Sequence, residues 1–225
     1  MATRPVFVAK DSYPFCEVKE TEFKFYSGFA DSQKKKCIME LHRSFTAGIN
    51  KKVLEVSTKS TEEIGVRLSA FNLPIRLEGA EISLECAFQG SKKFANGGPY
   101  TELYHVSSRE AKKDERIRNS GELTGFELMG KAFSREPKDY FYNWIYIKAL
   151  CEKPEYLREV AEYDAFTDIE FNPQKSLNCQ AKAAAIAVGL YRAGVLEACM
   201  KDENAFLKTV YGIEDTGTYE QMSLF

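Results

Sequence analysis

The segment CQAKAAAIAVGLYRA (residues 179–193) is the clearest helix in the sequence. Alanine has the highest helix propensity of all residues, and its small side chain lets a helix approach its neighbours closely. Apolar residues at helical spacing predict further helices over residues 30–45, 138–150 and 155–163. We therefore expect the core to be built mainly from helices. The first of them is expected to be capped by Asp31 or Ser32.

Three short segments, residues 5–9, 23–26 and 53–57, are expected to form strands. Ser60 followed by Glu63 has the spacing of a capping box and predicts another helix start. No long alternation of strands and helices indicates a doubly wound sheet. The sequence therefore predicts an α+β fold, a helix-dominated single domain with a small β-sheet. This domain is expected to cover residues 1–212, and residues 213–225 form a polar tail.

Composition argues against several classes of protein. Hydrophobic residues make up 44% of the chain, enough for a sizeable core, and the net charge is −2. Proteins that wrap nucleic acid are usually basic, so any such contact should be a local basic rim around a pocket. Six cysteines without a CxxC pair and only two histidines argue against a metal site or cofactor. Without a signal peptide or apolar span, a cytoplasmic protein with free thiols and no membrane contact is expected.

Another predicted helix carries the candidate chemistry. Residues 82–94 read ISLECAFQGSKKF and are expected to be helical. Glu85, Gln89 and Lys92 then stand at positions i, i+4 and i+7 and share one helix face. A carboxylate, an amide and an amine in one row can provide an acid or base, an orienting partner and a nucleophile. The same spacing also occurs in solvated helix faces that have no catalytic role.

Three motifs around this helix resemble the NADAR family, which is associated with NAD and ADP-ribose metabolism. Residues 68–72, LSAFN, resemble its LSNFxP-like turn. Glu85, Gln89 and Lys92 match its E-x-x-x-Q-x-x-K helix, and Ala111-Lys112 matches the AK pair that opens the next helix. The motifs occur in the family's order, and the close resemblance spans residues 66–115.

The rest of the chain resembles one branch of the family. The D-x-x-W-G motif of many members is replaced by other sequence in residues 163–173. These residues, with residues 176–181, look like the antitoxins paired with toxins that ADP-ribosylate guanine. The resemblance implies a NADAR-like fold and a hydrolase that removes ADP-ribose from guanine in DNA or RNA. Two other interpretations stay open: an N-glycosidase of a phosphorylated riboflavin-pathway metabolite, or a non-catalytic module that binds ADP-ribose or NAD.

Cleavage of an N-glycosidic bond requires a proton for the leaving nitrogen and stabilisation of a positively charged sugar carbon. Glu85 is the candidate proton donor. Asp168 is the candidate that activates water or stabilises the cation. Lys92 offers a second route, in which its amine attacks the ring-opened ribose and forms a Schiff base that water then clears. The sequence leaves both routes open.

Residues of several kinds are candidates for binding the substrate. Phe71 and Trp144 could provide aromatic platforms for a purine ring, although such residues are often part of the core. Gln89 orients the row described above. Asn72 and Asn178 could bond ribose hydroxyls or base edges, although asparagine also caps turns. We retain all five as candidate substrate-binding residues.

Two lysines are candidates for binding phosphate. Lys59 belongs to STKS (residues 57–60), which runs into the predicted capped helix and could bind the pyrophosphate. Lys35 belongs to QKKK (residues 33–36) and could meet a nucleic-acid phosphate. A run of charges of this kind also forms ordinary solvated helix faces.

The chain ends in a short peptide that predicts a partner. Its last residues are Gln221, Met222, Ser223, Leu224 and Phe225. They resemble the peptide by which bacterial proteins dock onto the replication sliding clamp, in which Leu-Phe fills a pocket and glutamine fixes the direction. A terminus that packs on its own domain is the alternative. Docking on the clamp would bring the protein to DNA that is being copied.

Overall fold

The computed structural model describes residues 1–28 and 30–214. Its strands form one four-stranded sheet, one two-stranded sheet and one three-stranded sheet. The strands are β1 (Ala2–Ala9), β2 (Cys16–Phe23), β3 (Val53–Glu55), β4 (Pro74–Leu77), β5 (Ala80–Ser83), β6 (Lys92–Phe94), β7 (Leu123–Leu128), β8 (Lys131–Phe133) and β9 (Ala165–Thr167). The helices are α1 (Asp31–Thr46), α2 (Glu63–Arg67), α3 (Leu84–Gly90), α4 (Ser108–Lys113), α5 (Arg116–Asn119), α6 (Tyr140–Cys151), α7 (Pro154–Val160), α8 (Gln180–Arg192), α9 (Leu196–Cys199) and α10 (Glu203–Tyr211), with a 3-10 helix at Thr101–His105. The predicted α+β class is confirmed.

The four-stranded sheet has the strand order β2-β1-β9-β3. β1 pairs antiparallel with β2 and β9, and β3 runs parallel to β9. Phe166 of β9 stands between Phe7 of β1 and Leu54 of β3, and all three are buried. Since β3 and β9 are parallel neighbours, the chain after Glu55 and the chain after Thr167 leave the same edge of the sheet. These two segments form part of the candidate site.

Two buried helices pack beside this sheet. α8 contacts β1, β9 and α6. Gly189 of α8 lies so close to the backbone that an added Cβ would stand 2.5 Å from the carbonyl oxygens of Lys10 and Phe15. α6 is buried along nearly its whole length, as expected of a helix that is apolar on all sides. The helix predicted over residues 179–193 is thus confirmed, and its small residues permit the close packing.

Two predicted elements are wrong in their boundaries. The strand expected over residues 23–26 lies at Cys16–Phe23, where β2 pairs with all of β1. The helix expected over residues 82–94 is split into β5, α3 and β6. The Ser83 hydroxyl accepts a hydrogen bond from the Cys86 backbone N–H at 3.2 Å and so starts α3. The residues from Lys92 onward then pair with β7 instead of continuing the helix.

The predicted helix caps are also wrong. α1 follows Ala30 without a side-chain cap, and Asp31 instead forms an ion pair with Lys59 at 2.8 Å. The Ser60 hydroxyl accepts from the Glu62 backbone N–H at 3.2 Å, within the loop before α2. Both side chains therefore bind residues of the segment between β3 and α2, and neither caps a helix.

The last described helix, α10, ends at Gly212. Its φ of 68° is the left-handed conformation that glycine adopts readily at helix ends. Gly212 is also the last residue of the predicted catalytic domain, and that division stays a prediction. The predicted clamp-binding peptide, residues 221–225, lies outside the described residues. Among residues 1–28 and 30–214, no helix is long and apolar enough to cross a membrane.

Candidate active site

Glu85, Gln89 and Lys92 form one hydrogen-bonded row. Ser83 starts α3, and the Glu85 backbone N–H donates to the Ala70 carbonyl at 2.8 Å, which fixes the helix start against the preceding loop. The Gln89 amide Nε2 donates to Glu85 Oε1 at 2.9 Å. The Lys92 amine donates to Gln89 Oε1 at 2.8 Å. The carboxylate and amide are buried, so this amide holds the acid and the amine in a fixed relation.

The surroundings of the Lys92 amine lower its pKa and so favour its uncharged form. The pKa of Lys92 is lowered to about 8, mainly by burial, with a smaller lowering by the nearby Lys112 charge, while Glu85 opposes the shift. Its Nζ lies 4.7 Å from the centre of the Phe88 ring. At a pKa of about 8, roughly one amine in ten is uncharged at pH 7. An uncharged lysine amine is a nucleophile.

The row opens into a cavity of about 510 Å³. This volume lies within the range of small-molecule sites. Six of the predicted site residues line it: Phe71, Glu85, Gln89, Lys92, Asp168 and Asn178. The cavity therefore brings together residues from α3 and β6, from the turn that follows α2 and from the segment between β9 and α8. In the described part of the chain, no group of three or more His, Cys, Asp and Glu side chains could hold a metal ion.

Asp168 stands at the start of the segment that leaves β9. Its Oδ1 accepts from the Glu170 backbone N–H at 3.0 Å. Burial raises the pKa of the Asp168 carboxyl, and the nearby carboxyl of Glu55 raises it further. A carboxyl with a raised pKa can hold a proton near neutral pH and can give it to a leaving group.

A buried carboxyl, Glu55, organises this part of the cavity. It accepts hydrogen bonds from the Ser57 hydroxyl at 2.6 Å, the Thr167 hydroxyl at 2.6 Å and the Ile169 backbone N–H at 2.8 Å. Burial raises the pKa of Glu55, and these hydrogen bonds oppose the shift. Glu55 thus joins the segment that carries Ser57 to the segment that carries Asp168.

His42 of α1 extends this network. Its Nε2 lies 2.8 Å from the Thr167 hydroxyl oxygen. When the single Thr167 hydroxyl proton is donated to the Glu55 carboxylate, the His42 Nε2 carries the proton that completes this contact. Burial lowers the pKa of His42 to about 4, so the ring is neutral at pH 7. The chain of donors therefore runs from His42 through Thr167 to Glu55.

Aromatic and amide groups complete the lining. Phe71 is half-buried, and the Lys112 amine lies 5.0 Å from the centre of its ring. Tyr142 is buried below the cavity with its ring edge-on to Phe88, and the two ring centres are 5.0 Å apart. Burial raises the pKa of Tyr142 well above its usual value, so its phenol stays protonated. Among the described residues, the Asn178 Oδ1 has no hydrogen-bond partner.

Gln180, at the start of α8, ties together the two segments beside the cavity. Its Nε2 donates to the Val56 carbonyl at 2.7 Å, and its Oε1 accepts from the Ala70 backbone N–H at 2.8 Å.

The chain matches the family described as DarT1-associated NADAR antitoxin over residues 2–220. The chain belongs to the DarT1-associated NADAR antitoxin family. No curated protein matches it.

Four predicted site residues of this NADAR chain do not line the cavity. Trp144 packs in the core with its ring centre 4.9 Å from that of Phe133, because α6 is buried on all sides. The Asn72 side chain donates to the Val66 carbonyl at 2.9 Å and stabilises a turn. Lys59 is paired with Asp31. Lys35 is exposed on α1, and the cavity lining contains none of these four.

Several lining residues of the NADAR chain were not predicted. Tyr142 and Phe171 are the most consequential for the binding of rings, and Glu55, which lies behind the lining, was also not predicted. A charged residue inside the apolar strand VLEV (residues 53–56) was a usable signal for Glu55, because a buried charge in a strand requires partners. Tyr142 and Phe171 gave no such signal, since aromatic residues are common throughout this core.

Proposed function

We propose that this antitoxin-family protein is an ADP-ribosyl glycohydrolase. It removes ADP-ribose from guanine bases in nucleic acid and so reverses the modification made by a DarT1-type toxin. The observation that carries this proposal is the Glu85–Gln89–Lys92 row, which opens into a cavity that also contains the Asp168 carboxyl. Membership of the DarT1-associated antitoxin family supports the choice of substrate.

The tuned amine supports a covalent route through Lys92. When the ribose ring opens, its C1 atom becomes double-bonded to the guanine nitrogen. The uncharged amine adds to C1, the guanine nitrogen takes a proton and leaves, and a C=N bond to Lys92 remains. Water then adds to C1, and this step releases the lysine amine and the free ADP-ribose aldehyde. The lowered pKa of Lys92 supplies the uncharged amine that the first step requires.

The carboxyls supply the proton transfers of either route. Asp168 has the raised pKa, which suits donation of a proton to the leaving nitrogen. Glu85 is held by the Gln89 amide, and its carboxyl can take a proton from water or from the amine. The raised pKa makes Asp168 a candidate acid, a role that the sequence analysis gives to Glu85. Direct hydrolysis with these two carboxyls remains the alternative to the Schiff base.

The remaining lining suits the rest of the substrate. Phe71 and Phe171 offer ring surfaces for the purines. Lys112 and Lys175 place positive charge where a diphosphate can lie. Asn178 has a free acceptor oxygen among the described residues that can bond a ribose hydroxyl or a base amine. These groups fit a nucleotide-sugar better than an apolar ligand.

The deciding experiment is incubation with an oligonucleotide that carries ADP-ribosylated guanine, followed by mass measurement. We expect free ADP-ribose and an unmodified oligonucleotide. Reduction with cyanoborohydride during turnover should add the mass of ADP-ribose less one oxygen atom to the peptide that contains Lys92, because Schiff-base formation releases water. Tight binding without release would favour an ADP-ribose-binding module. Cleavage of a phosphorylated riboflavin-pathway metabolite, with the oligonucleotide left intact, would favour the metabolite N-glycosidase.

The replication sliding clamp is a proposed partner that rests on sequence alone. The peptide of Gln221, Met222, Ser223, Leu224 and Phe225 would deliver the enzyme to DNA that is being copied. The test is a pull-down with purified clamp and a variant that lacks residues 221–225. We expect the deletion to abolish capture, and capture that does not depend on these residues would refute the proposal.

A further inference from the structure

One exposed helix beside the cavity mouth carries a stripe of positive charge. α4 starts with a capping box in which Ser107 and Glu110 bond each other, so the Glu110 carboxylate is engaged at the helix start. Lys112 of α4 lines the cavity. Arg109 precedes it by three residues, and Lys113 follows Arg109 by four, so these cations share one side of the helix. All three are exposed.

These charges have no ion-pair partner in the part of the chain that the structure describes. The nearest arginine in sequence, Arg116, is paired with Asp114 and Glu102, but Arg109, Lys112 and Lys113 form no such pair. Lys175 also lines the cavity, is exposed and is unpaired among residues 1–28 and 30–214. The mouth of the cavity therefore has four cations without an ion-pair partner within the described ranges, whereas the exposed carboxylate of its lining, Glu170, is paired with Lys34.

The lysine run at the start of α1 is a weaker candidate for a phosphate surface. Lys34 forms an ion pair with Glu170 at 3.0 Å. The amine of Lys36 lies 5.8 Å from the centre of the Tyr26 ring. Lys59, which could have extended this surface, is paired with Asp31. Lys34 and Lys59 are thus neutralised by carboxylates, whereas Arg109, Lys112 and Lys113 of α4 have no ion-pair partner among the described residues, although Lys112 also contacts the Phe71 ring.

We propose that Arg109, Lys112, Lys113 and Lys175, here called the basic rim, hold a single-stranded nucleic-acid substrate by its phosphates, with Arg109 and Lys113 on the strand next to the modified base. This inference rests on the proposed function for the identity of the base in the cavity. Lys112 and Lys175 are close enough to the cavity to meet the diphosphate of ADP-ribose itself. Arg109 and Lys113 lie outside the lining, so we assign them to phosphates of neighbouring nucleotides. The basic rim therefore selects a polynucleotide over a free ADP-ribosylated nucleoside.

The first test measures binding alone, so it does not depend on turnover. A fluorescein-labelled single-stranded DNA is titrated with the full chain over a series of salt concentrations. The double variant Arg109→Gln/Lys113→Gln should bind about tenfold more weakly, and the slope of log affinity against log salt should fall by about 0.7 for each lost phosphate contact. The matched control is Arg158→Gln/Lys201→Gln, which removes one exposed arginine and one lysine outside the cavity lining.

The second test compares two substrates for the same proteins. The Arg109→Gln/Lys113→Gln variant should lower kcat/KM for the ADP-ribosylated oligonucleotide about tenfold more than for ADP-ribosylated guanosine. Equal affinity and salt slope in the parent, variant and control proteins would overturn the basic rim, as would no DNA binding by any of them. Failure of the proposed function is a different result: the oligonucleotide binds through the basic rim, but no ADP-ribose is released.

Discussion

The cavity has two walls that differ in how the chain builds them. The α3 wall is local: Glu85, Gln89 and Lys92 lie within eight residues and bond each other in order. The sheet wall is assembled from distant segments. Glu55 bonds Thr167, 112 residues further along the chain, and His42 bonds Thr167 across 125 residues. The α3 wall holds Lys92, the proposed nucleophile, and the sheet wall holds Asp168, whose carboxyl has a raised pKa.

This difference shows which part of a site can be recognised from local sequence patterns. Helical spacing places Glu85 and Gln89 on one face whatever the rest of the fold does. The partners of Glu55 become neighbours only when β3 and β9 pair in parallel. We therefore expect substitutions in the α3 wall to affect turnover, and substitutions in the sheet wall to affect stability as well as turnover.

The largest effect is expected from Lys92→Arg in the α3 wall. Arginine keeps the positive charge but cannot provide an uncharged amine, so kcat should fall by about 10² to 10⁴ and the cyanoborohydride adduct should disappear. The matched control is Lys93→Arg, because the neighbouring lysine pairs with Glu127 outside the cavity. Full turnover by Lys92→Arg would exclude the Schiff-base route and leave direct hydrolysis by the carboxyls.

The prediction that Lys92 joins the row succeeded although its helix was wrong. α3 ends at Gly90, and an added Cβ there would lie 2.4 Å from the Tyr104 ring. The chain then turns into β6, yet Lys92 still reaches the Gln89 amide.

The fold class and the main helices could be predicted because they follow from local periodicity. Trp144 was misplaced, because only tertiary packing decides which side of α6 faces the cavity.

The next effect concerns the sheet wall and the pH dependence of stability. His42 has a folded pKa of about 4, below its ordinary value near 6.5, so the unfolded chain binds the proton more readily. The contribution of His42 to stability should therefore be complete above about pH 6.5 and should fall by up to about 3 kcal/mol as the pH drops towards 4, whereas the raised pKa values of Asp168 and Glu55 act in the opposite direction. The variant His42→Gln can keep the N–H donor and should flatten this dependence between pH 4 and 6.5. Urea titrations at several pH values measure it, and equal slopes in both proteins would contradict it.

A smaller loss of stability is expected from Thr167→Val. Valine removes the hydroxyl that bonds both His42 and Glu55 and leaves a buried carboxyl short of a donor. We expect a loss of about 1–3 kcal/mol in the free energy of unfolding, together with reduced turnover. Thr3→Val, at an exposed position of β1, is the matched control and should have little effect. Unchanged stability of Thr167→Val would show that the network does not hold the sheet wall in place.

The smallest effect is a shift in the pH profile of turnover. If the uncharged Lys92 amine attacks, activity should rise with pH through about 8. Lys112 lowers the pKa of Lys92, so Lys112→Met should raise that pKa and move the rising limb to higher pH. Profiles of kcat with ADP-ribosylated guanosine measure this shift without the strand contacts of the basic rim. A shift towards lower pH would contradict the electrostatic account of the α3 wall.

The most direct test of the central claim compares Glu85→Gln with Glu81→Gln on an oligonucleotide that carries ADP-ribosylated guanine. Glu85→Gln keeps the shape of the row but removes its carboxylate, whereas Glu81 lies on β5 and pairs with Lys153 away from the cavity. Glu85→Gln should still bind the oligonucleotide in a titration. Mass measurement should show that it releases ADP-ribose about 10² to 10⁴ times more slowly than the parent protein. Glu81→Gln should match the parent protein. Equal release by all three proteins would contradict the assignment of the row as the catalytic site.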